Sequence, residues 1–304
     1  MANESLMSVQ IEQERQRRAD LWDAVLALGG PDGLTASDVN DKGLRLVAGG
    51  RGFYVDIKRT RPLSDDGHGL TVGFSVTGRV YADDIDDEGV IYHYPQSKES
   101  HRSRDEQDIA ATKSCAKHQL PVFVVIKEGG KRNVRRGWVK EWDDDKRYFL
   151  VLFGEDEEPE YESVDDHQPF EPFGDPLKEG HGKKKSRPNS VKFRHAVMDR
   201  YGIECAFCPI REWGVLDAAH LIGKEHEGSD DPRNGLPLCA THHRAIGEKR
   251  ALLRIDSETL EVVADGGATL ESLRVTKTNL NHLSNTPHKT ALKYLWEKQE
   301  ANKR

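Results

Sequence analysis

Cys205-Ala-Phe-Cys208, Leu216-Asp217-Ala-Ala-His220 and Pro232-Arg-Asn234-Gly-Leu-Pro-Leu-Cys239-Ala-Thr-His242-His243-Arg244 carry the densest chemistry in the chain. Cys205, Cys208, Cys239 and His242 have the spacing of a tetrahedral zinc site, Cys-x2-Cys followed by Cys-x2-His. His220, Asn234 and His243 interleave with these ligands and are not needed to complete the site. Either of the two adjacent histidines can serve as the fourth ligand. His242 is preferred, because its two-residue gap repeats the first pair and leaves His243 on the following helix turn. Of four cysteines, three fall in this pattern and Cys115 stands alone. That usage suits a reducing compartment and not a disulfide framework.

Outward from this stretch the pattern is of short elements. Residues 189–201 predict a helix with Phe193, Val197 and Tyr201 on one face, capped by Asn189 or Ser190 and ended by Gly202. Gly214 to His220 reads as a short β-type run. Leu252-Leu-Arg-Ile-Asp and Leu260-Glu-Val-Val predict a closing hairpin with Ser257-Glu-Thr as its turn. Residues 288–304 read as a tail helix, with Pro287 just before its start.

Residues 188 to 265 resemble an HNH endonuclease module of the ββα-metal class, close to the McrA-like branch with its Ala-Ala-His and Asn-Gly-Leu-x-Leu-Cys-x-x-His-His phrases. The resemblance implies a structural Zn²⁺ in the knuckle and a one-metal site that hydrolyses phosphodiesters. His220 becomes the candidate general base, since a neutral imidazole can take a proton near pH 7. Asn234 would brace the loop that holds this base, and His243 would bind the catalytic Mg²⁺ or Mn²⁺. Many members place an acid just before the base, where this chain has Ala219. Asp217 is therefore the preferred second ligand, with His226, Asp230 and Asp231 as alternatives. The branch often has Phe-Asp after the paired histidines; Ile246-Gly247 stands there instead.

The N-terminal half reads differently. Residues 5–28 predict a helix with Ile11, Leu21, Ala24, Val25 and Leu28 as its apolar stripe, for packing or for dimerisation. From about residue 34 to 157 short β-type runs dominate: Leu44–Ala48, Gly52–Ile57, Leu70–Val76, Val90–Tyr94, Val122–Ile126, Gly137–Val139 and Tyr148–Phe153. One helix-like segment, Glu106 to His118, interrupts them. Many strands with few helices predict a curved, partly closed β-barrel, and with the C-terminal module an α+β protein.

Within that half, Thr77-Gly-Arg-Val-Tyr81-Ala-Asp83-Asp84-Ile-Asp86-Asp87-Glu-Gly89-Val-Ile-Tyr92-His-Tyr94 is similar to the core motif of the SRA domain, a PUA-like reader that flips 5-methyl- or 5-hydroxymethylcytosine out of the duplex. Arg79 replaces the family's second glycine, and one extra residue precedes the closing aromatic, so the pocket tyrosine is Tyr94 or Tyr92. The residue types fit base reading on their own. Tyr81 and Tyr94 offer stacking faces, and the Asp84 carboxylate can accept from the exocyclic amine of cytosine, where thymine presents a carbonyl.

Composition bounds these readings. At 304 residues two domains are expected. The boundaries read as an N-terminal helix (1–30), the SRA-like domain (31–157), a linker (158–187), the HNH domain (188–270) and a helical tail (271–304). The linker turns from acidic to basic at Lys183-Lys-Lys-Ser-Arg187, a solvated tether or a phosphate contact. A net charge of −7 leaves DNA binding to local patches. No apolar run approaches the roughly 20 residues that span a bilayer, and Met1 to Asp20 lacks the apolar core of a secretory signal. The expectation is a bacterial, cytoplasmic, modification-dependent restriction endonuclease of Type IV character. Its partner would be double-stranded DNA containing modified cytosine. A duplex break needs two active sites or two visits, so a homodimer is one of two workable arrangements. Two alternatives remain: a non-catalytic modified-DNA-binding protein, and an HNH nuclease with a different nucleic-acid specificity.

Overall fold

The computed structural model describes residues 2–40, 44–48, 52–76, 84–155, 157–161, 163–164, 166–174 and 190–303. The chain forms two compact units, Met1–Tyr161 and Glu162–Arg304. Among the described residues no helix is long and apolar enough to cross a membrane.

The first unit contains α1 (Ala2–Ala27), α2 (Ala36–Asn40), β1 (Phe53–Val55), α3 (Ile57–Thr60), β2 (Thr71–Val76), β3 (Gly89–His93), α4 (Arg102–Lys117), β4 (Val122–Glu128), β5 (Lys131–Asp143) and β6 (Tyr148–Phe153). Its six strands form one sheet in the order β1-β2-β4-β5-β6-β3. Only the β2–β4 pair is parallel, with Gly73 opposite Phe123 and Val76 opposite Ile126. A parallel pair needs a long crossover, and β3 with α4 supplies it. The β4–β5 hairpin turns on Gly129 and Gly130, both at positive φ (52° and 82°), as a two-residue turn between right-twisted strands requires.

Strand alternation sorts the side chains onto two faces. On one, Phe74, Val76, Val122 and Val124 join Phe53, Tyr92, Ile109 and Cys115. On the other, Val72, Phe123, Val125 and Val134 meet Trp22, Val25, Val39, Leu44 and Leu46. Thr112 of α4 hydrogen-bonds Thr71 of β2, 2.8 Å between hydroxyls. α1 also buries a charged pair: Arg18 donates to Glu14 at 3.0 Å and to the Pro121 carbonyl.

The sheet curves but does not close. Tyr92 of edge strand β3 lies 5.2 Å from the ring of Phe53 on the opposite edge and 4.7 Å from Phe74. Its hydroxyl donates to the carbonyls of Gly52 and Ser75. Side chains thus bridge the two edges. No β1–β3 strand pairing exists among the described residues, so the architecture is an open sheet and not a closed barrel.

Two strand expectations also change. Leu44–Val47 is not a strand; it is a buried loop laid on β2, and Gly73 makes room for it. A Cβ at Gly73 would sit 2.4 Å from the Leu46 carbonyl and 2.5 Å from that of Phe123. β5 runs well beyond Gly137–Val139, because its arginines are held in place. Arg136 lies between the rings of Trp22 and Trp138, at 5.6 and 5.3 Å, and Arg135 pairs with Asp32 at 2.7 Å.

The second unit contains α5 (Val191–Tyr201), β7 (Leu216–His220), β8 (Gly235–Cys239), α6 (Ala240–Ala245), the β9 (Leu253–Ile255)–β10 (Val262–Ala264) hairpin and α7 (Lys289–Ala301). Ser190 caps α5, its hydroxyl accepting from the Phe193 amide at 3.1 Å. β7 and β8 pair antiparallel, and α6 follows directly: a ββα unit. One core holds Phe207, Ile222, Leu236, Leu238, Ile246, Leu253 and Leu280 together with Ala291, Leu292 and Leu295 of α7. Gln299 of α7 donates to the Ile246 carbonyl at 2.8 Å, so the tail helix is part of this unit's interior.

Candidate active site

The knuckle assembles as its spacing predicts. Donor atoms of Cys205, Cys208, Cys239 and His242 all lie within 4.8 Å of one another, and all four residues are buried. His242 Nδ1 is 3.3 Å from both Cys205 Sγ and Cys239 Sγ, and the Cys208 and Cys239 sulfurs are 4.0 Å apart. Tetrahedral zinc with bonds of about 2.3 Å to sulfur needs S–S edges of about 3.8 Å. Of the adjacent histidines, His242 is therefore the one that faces the cysteines. Its Nε2 meets the Leu273 carbonyl at 3.0 Å, which leaves Nδ1 as the lone-pair donor. Burial pushes the Cys208 thiol up to about 12, with Cys205 and Cys239 adding to the effect. The burial and separations of the three thiols and the imidazole fit structural zinc.

The knuckle fixes the end of β8, and pairing with β8 fixes β7: Leu216 lies opposite Cys239, and His220 opposite Gly235. Gly235 is required here, since a Cβ would stand 2.6 Å from Phe193 Cζ and 2.6 Å from Val197 Cγ2. That close approach lets Phe193 stack on the His220 ring, 3.7 Å between centroids at 12°. After His220 the chain makes a long loop that returns at Asn234, which is fully buried. The Asn234 side chain accepts from Ile222 N at 2.9 Å and donates to the carbonyls of Ile222 (3.2 Å) and Ser229 (2.9 Å). Its backbone carbonyl accepts from Leu221 N at 2.8 Å.

His220 has a partner that sequence reading assigned otherwise. Its Nε2 lies 2.9 Å from Asp230 Oδ1, and Lys224 reaches the same oxygen at 2.7 Å. Burial alone would raise the Asp230 carboxyl, but the bonds from His220 and Lys224 hold it below the ordinary range. An ionised Asp230 can only accept, so His220 carries its proton on Nε2 and presents a bare Nδ1. Burial lowers the His220 pKa from 6.5, opposed by Asp230 and helped by the charges of Lys224 and His243. The imidazole is neutral at pH 7. Asp230 had no spacing signal; only the loop's closure by Asn234 brings it to His220.

His243 lies on α6 with its Nδ1 2.9 Å from Asp217 Oδ2. His220 and His243 line one cleft of about 160 Å³, with Ala218, Lys224, Glu225 and Glu248. Asp217 points off the opposite side of β7 from His220 and meets His243 from there. His226 pairs with Glu248 at 2.8 Å, and Asp231 pairs with Arg233 at 2.6 Å. Among the described residues neither bonds His243.

In the first unit, Tyr81 lies outside the described residues. Asp84 is fully buried, 3.1 Å from His93 Nε2. Tyr94 is buried against Phe149, and its hydroxyl donates to Asp144 at 3.0 Å. Tyr92, the alternative, is committed to the core.

A buried three-thiol, one-imidazole knuckle holds a ββα frame with two histidines on one cleft, the layout of a small metal-stapled module. Residues 205–251 match the family model for HNH endonucleases. The match supports a nuclease module that binds nucleic acid. No curated protein matches the chain.

Proposed function

We propose that the second unit hydrolyses DNA phosphodiesters with His220 as general base and Asn234 as the brace of its loop. The observation that carries this reading is the neutral His220 ring, clamped between Phe193 and Asp230, on the same cleft as His243. His220 Nδ1 takes the proton of the attacking water. The water oxygen bonds to phosphorus as the bond to the 3′-oxygen breaks, and that oxygen takes a proton from solvent, giving 5′-phosphate and 3′-hydroxyl ends. Asp217 and His243 would hold Mg²⁺ or Mn²⁺; their facing atoms, 2.9 Å apart, have the separation of neighbouring ligands on an octahedral ion with bonds of about 2.1 Å. When bound, that ion neutralises charge on the phosphate and the leaving oxygen.

The finer reading assigns the first unit to modified cytosine. The order Tyr81, Asp84, Tyr94 supports it, with Asp84, held by His93, as the carboxylate for the cytosine amine. In this reading the protein is a modification-dependent restriction endonuclease, acting as a monomer that visits twice or as a homodimer. The test is cleavage of matched duplexes carrying cytosine, 5-methylcytosine or 5-hydroxymethylcytosine, with Mg²⁺, Mn²⁺ or EDTA. Metal-dependent cutting of only the modified duplexes is expected, and His220→Ala should abolish it. Equal cutting of all three would end the base-reading half, and binding without cutting would end the nuclease half.

A further inference from the structure

A second group of donors converges outside the zinc knuckle and outside the Asp217–His243 pair. One donor atom each from Glu225, His226 and Glu248 lie within 4.8 Å of one another. His226 Nε2 is 2.8 Å from Glu248 Oε2. The other oxygen, Glu248 Oε1, is shielded from solvent and has no hydrogen-bond partner among the described residues. A buried carboxylate oxygen without a donor is costly, and a cation is one of the few things that would satisfy it. Glu225 folds back over Gly223, where a Cβ would meet its Oε2 at 2.4 Å; the absent side chain is what lets the carboxylate lie there. α7 and the residue that caps it steady the other two donors. The His226 ring packs edge-on to Tyr294 at 5.9 Å, and Asn302 donates to the Glu248 carbonyl at 3.1 Å.

Charge gives an independent argument. Glu225 and Glu248 line the same cleft as His220 and His243. Glu225 is exposed on that wall and Glu248 keeps one oxygen without a donor, while Lys224 is bonded to Asp230, so the wall repels a phosphodiester unless a cation covers it. A bound divalent cation neutralises the two carboxylates. We propose that Glu225, His226 and Glu248 form a second divalent-cation site on the wall of the nuclease cleft, whose role is to attract and seat the DNA backbone. The cation is one that accepts mixed carboxylate and imidazole ligands, with Mn²⁺ as the practical probe. The cleft's identity as a nuclease site is taken from the function proposed above; the binding of the ion is not.

Free Mn²⁺ is counted by electron paramagnetic resonance as it is titrated into the zinc-loaded, full-length protein without DNA. The wild type should bind two ions. Glu225→Gln, at an exposed position that does not threaten folding, should weaken one of them about tenfold or more, and Glu248→Gln should do the same with zinc content unchanged. Asp217→Asn should weaken the other ion only. Should Glu225→Gln and Glu248→Gln bind Mn²⁺ as the wild type does, the second site does not exist. If instead one ion binds, sensitive to Glu225 and Glu248 but not to Asp217, this site stands and the Asp217–His243 assignment falls.

Discussion

Asn234→Ala isolates the brace from the chemistry. The substitution deletes three side-chain hydrogen bonds, one from Ile222 N and two to the carbonyls of Ile222 and Ser229. At about 1 kcal/mol each the loss is about 3 kcal/mol, and more where the orphaned backbone groups stay buried. Ile222 is fully buried and Ser229 nearly so, so water cannot replace the missing side chain without opening the loop. For a unit of this size 1 kcal/mol moves the melting temperature by roughly 2–4 °C, giving a drop of about 6–12 °C. Opening the loop also frees Asp230, and with it the tautomer of His220. A misplacement of about 1 Å costs on the order of 100-fold in rate. The assay is paired: thermal unfolding of the zinc-loaded protein, and nicking of DNA at 20 °C, where the variant is still folded. The rate should fall by far more than the folded fraction. A variant that melts within about 1 °C of wild type and cuts at an unchanged rate would refute the brace.

Stripping zinc with a chelator should unfold the second unit and abolish cutting, both restored by added Zn²⁺, since knuckle zinc contributes on the order of 10 kcal/mol; circular dichroism and zinc assay follow it. The acid limb of the kcat/KM profile should lie below pH 6.5, because burial lowers the His220 pKa. The same shift makes folding stability fall as pH drops below 6.5, where the unfolded chain takes up the proton first. Gly235→Ala should cost about 1–3 kcal/mol by driving a Cβ into Phe193 and Val197, read as a lower melting temperature. Asp84→Asn should erase any preference for modified cytosine while leaving zinc content and metal-dependent nicking intact; a preference that survives it removes Asp84 from the pocket.

The zinc knuckle was legible because metal ligation imposes short, fixed spacings. The ββα frame was legible because Leu216–His220 and Gly235–Cys239 are bounded by its ligands. What escaped reading depends on groups that meet through loops. Asp230 is ten residues from His220, and only Asn234 closes the distance. Glu248 follows a helix end where the family pattern led one to look for a different residue. In the first unit, hydrophobic periodicity failed where charged side chains are inside. Arg136 sits between two indoles on β5, so that strand's inward face does not read as apolar, while α1 showed its apolar stripe but not the Arg18–Glu14 pair it buries. The long reach of Lys131–Asp143 was missed for the same reason. Open or closed sheet could not be told from strand count, because closure depends on edge pairing and not on composition.

The zinc ligand His242 is oriented by the carbonyl of Leu273, and the core around the knuckle is completed by Leu292 and Leu295. Both lie beyond the segment that carries the family match. A ribosome that has released residues 205–251 has thus delivered every zinc ligand and both cleft histidines, but not the walls that hold them. A fragment cut at the edges of the family match would therefore lack the Leu273 carbonyl and the α7 side chains that complete the core around the knuckle.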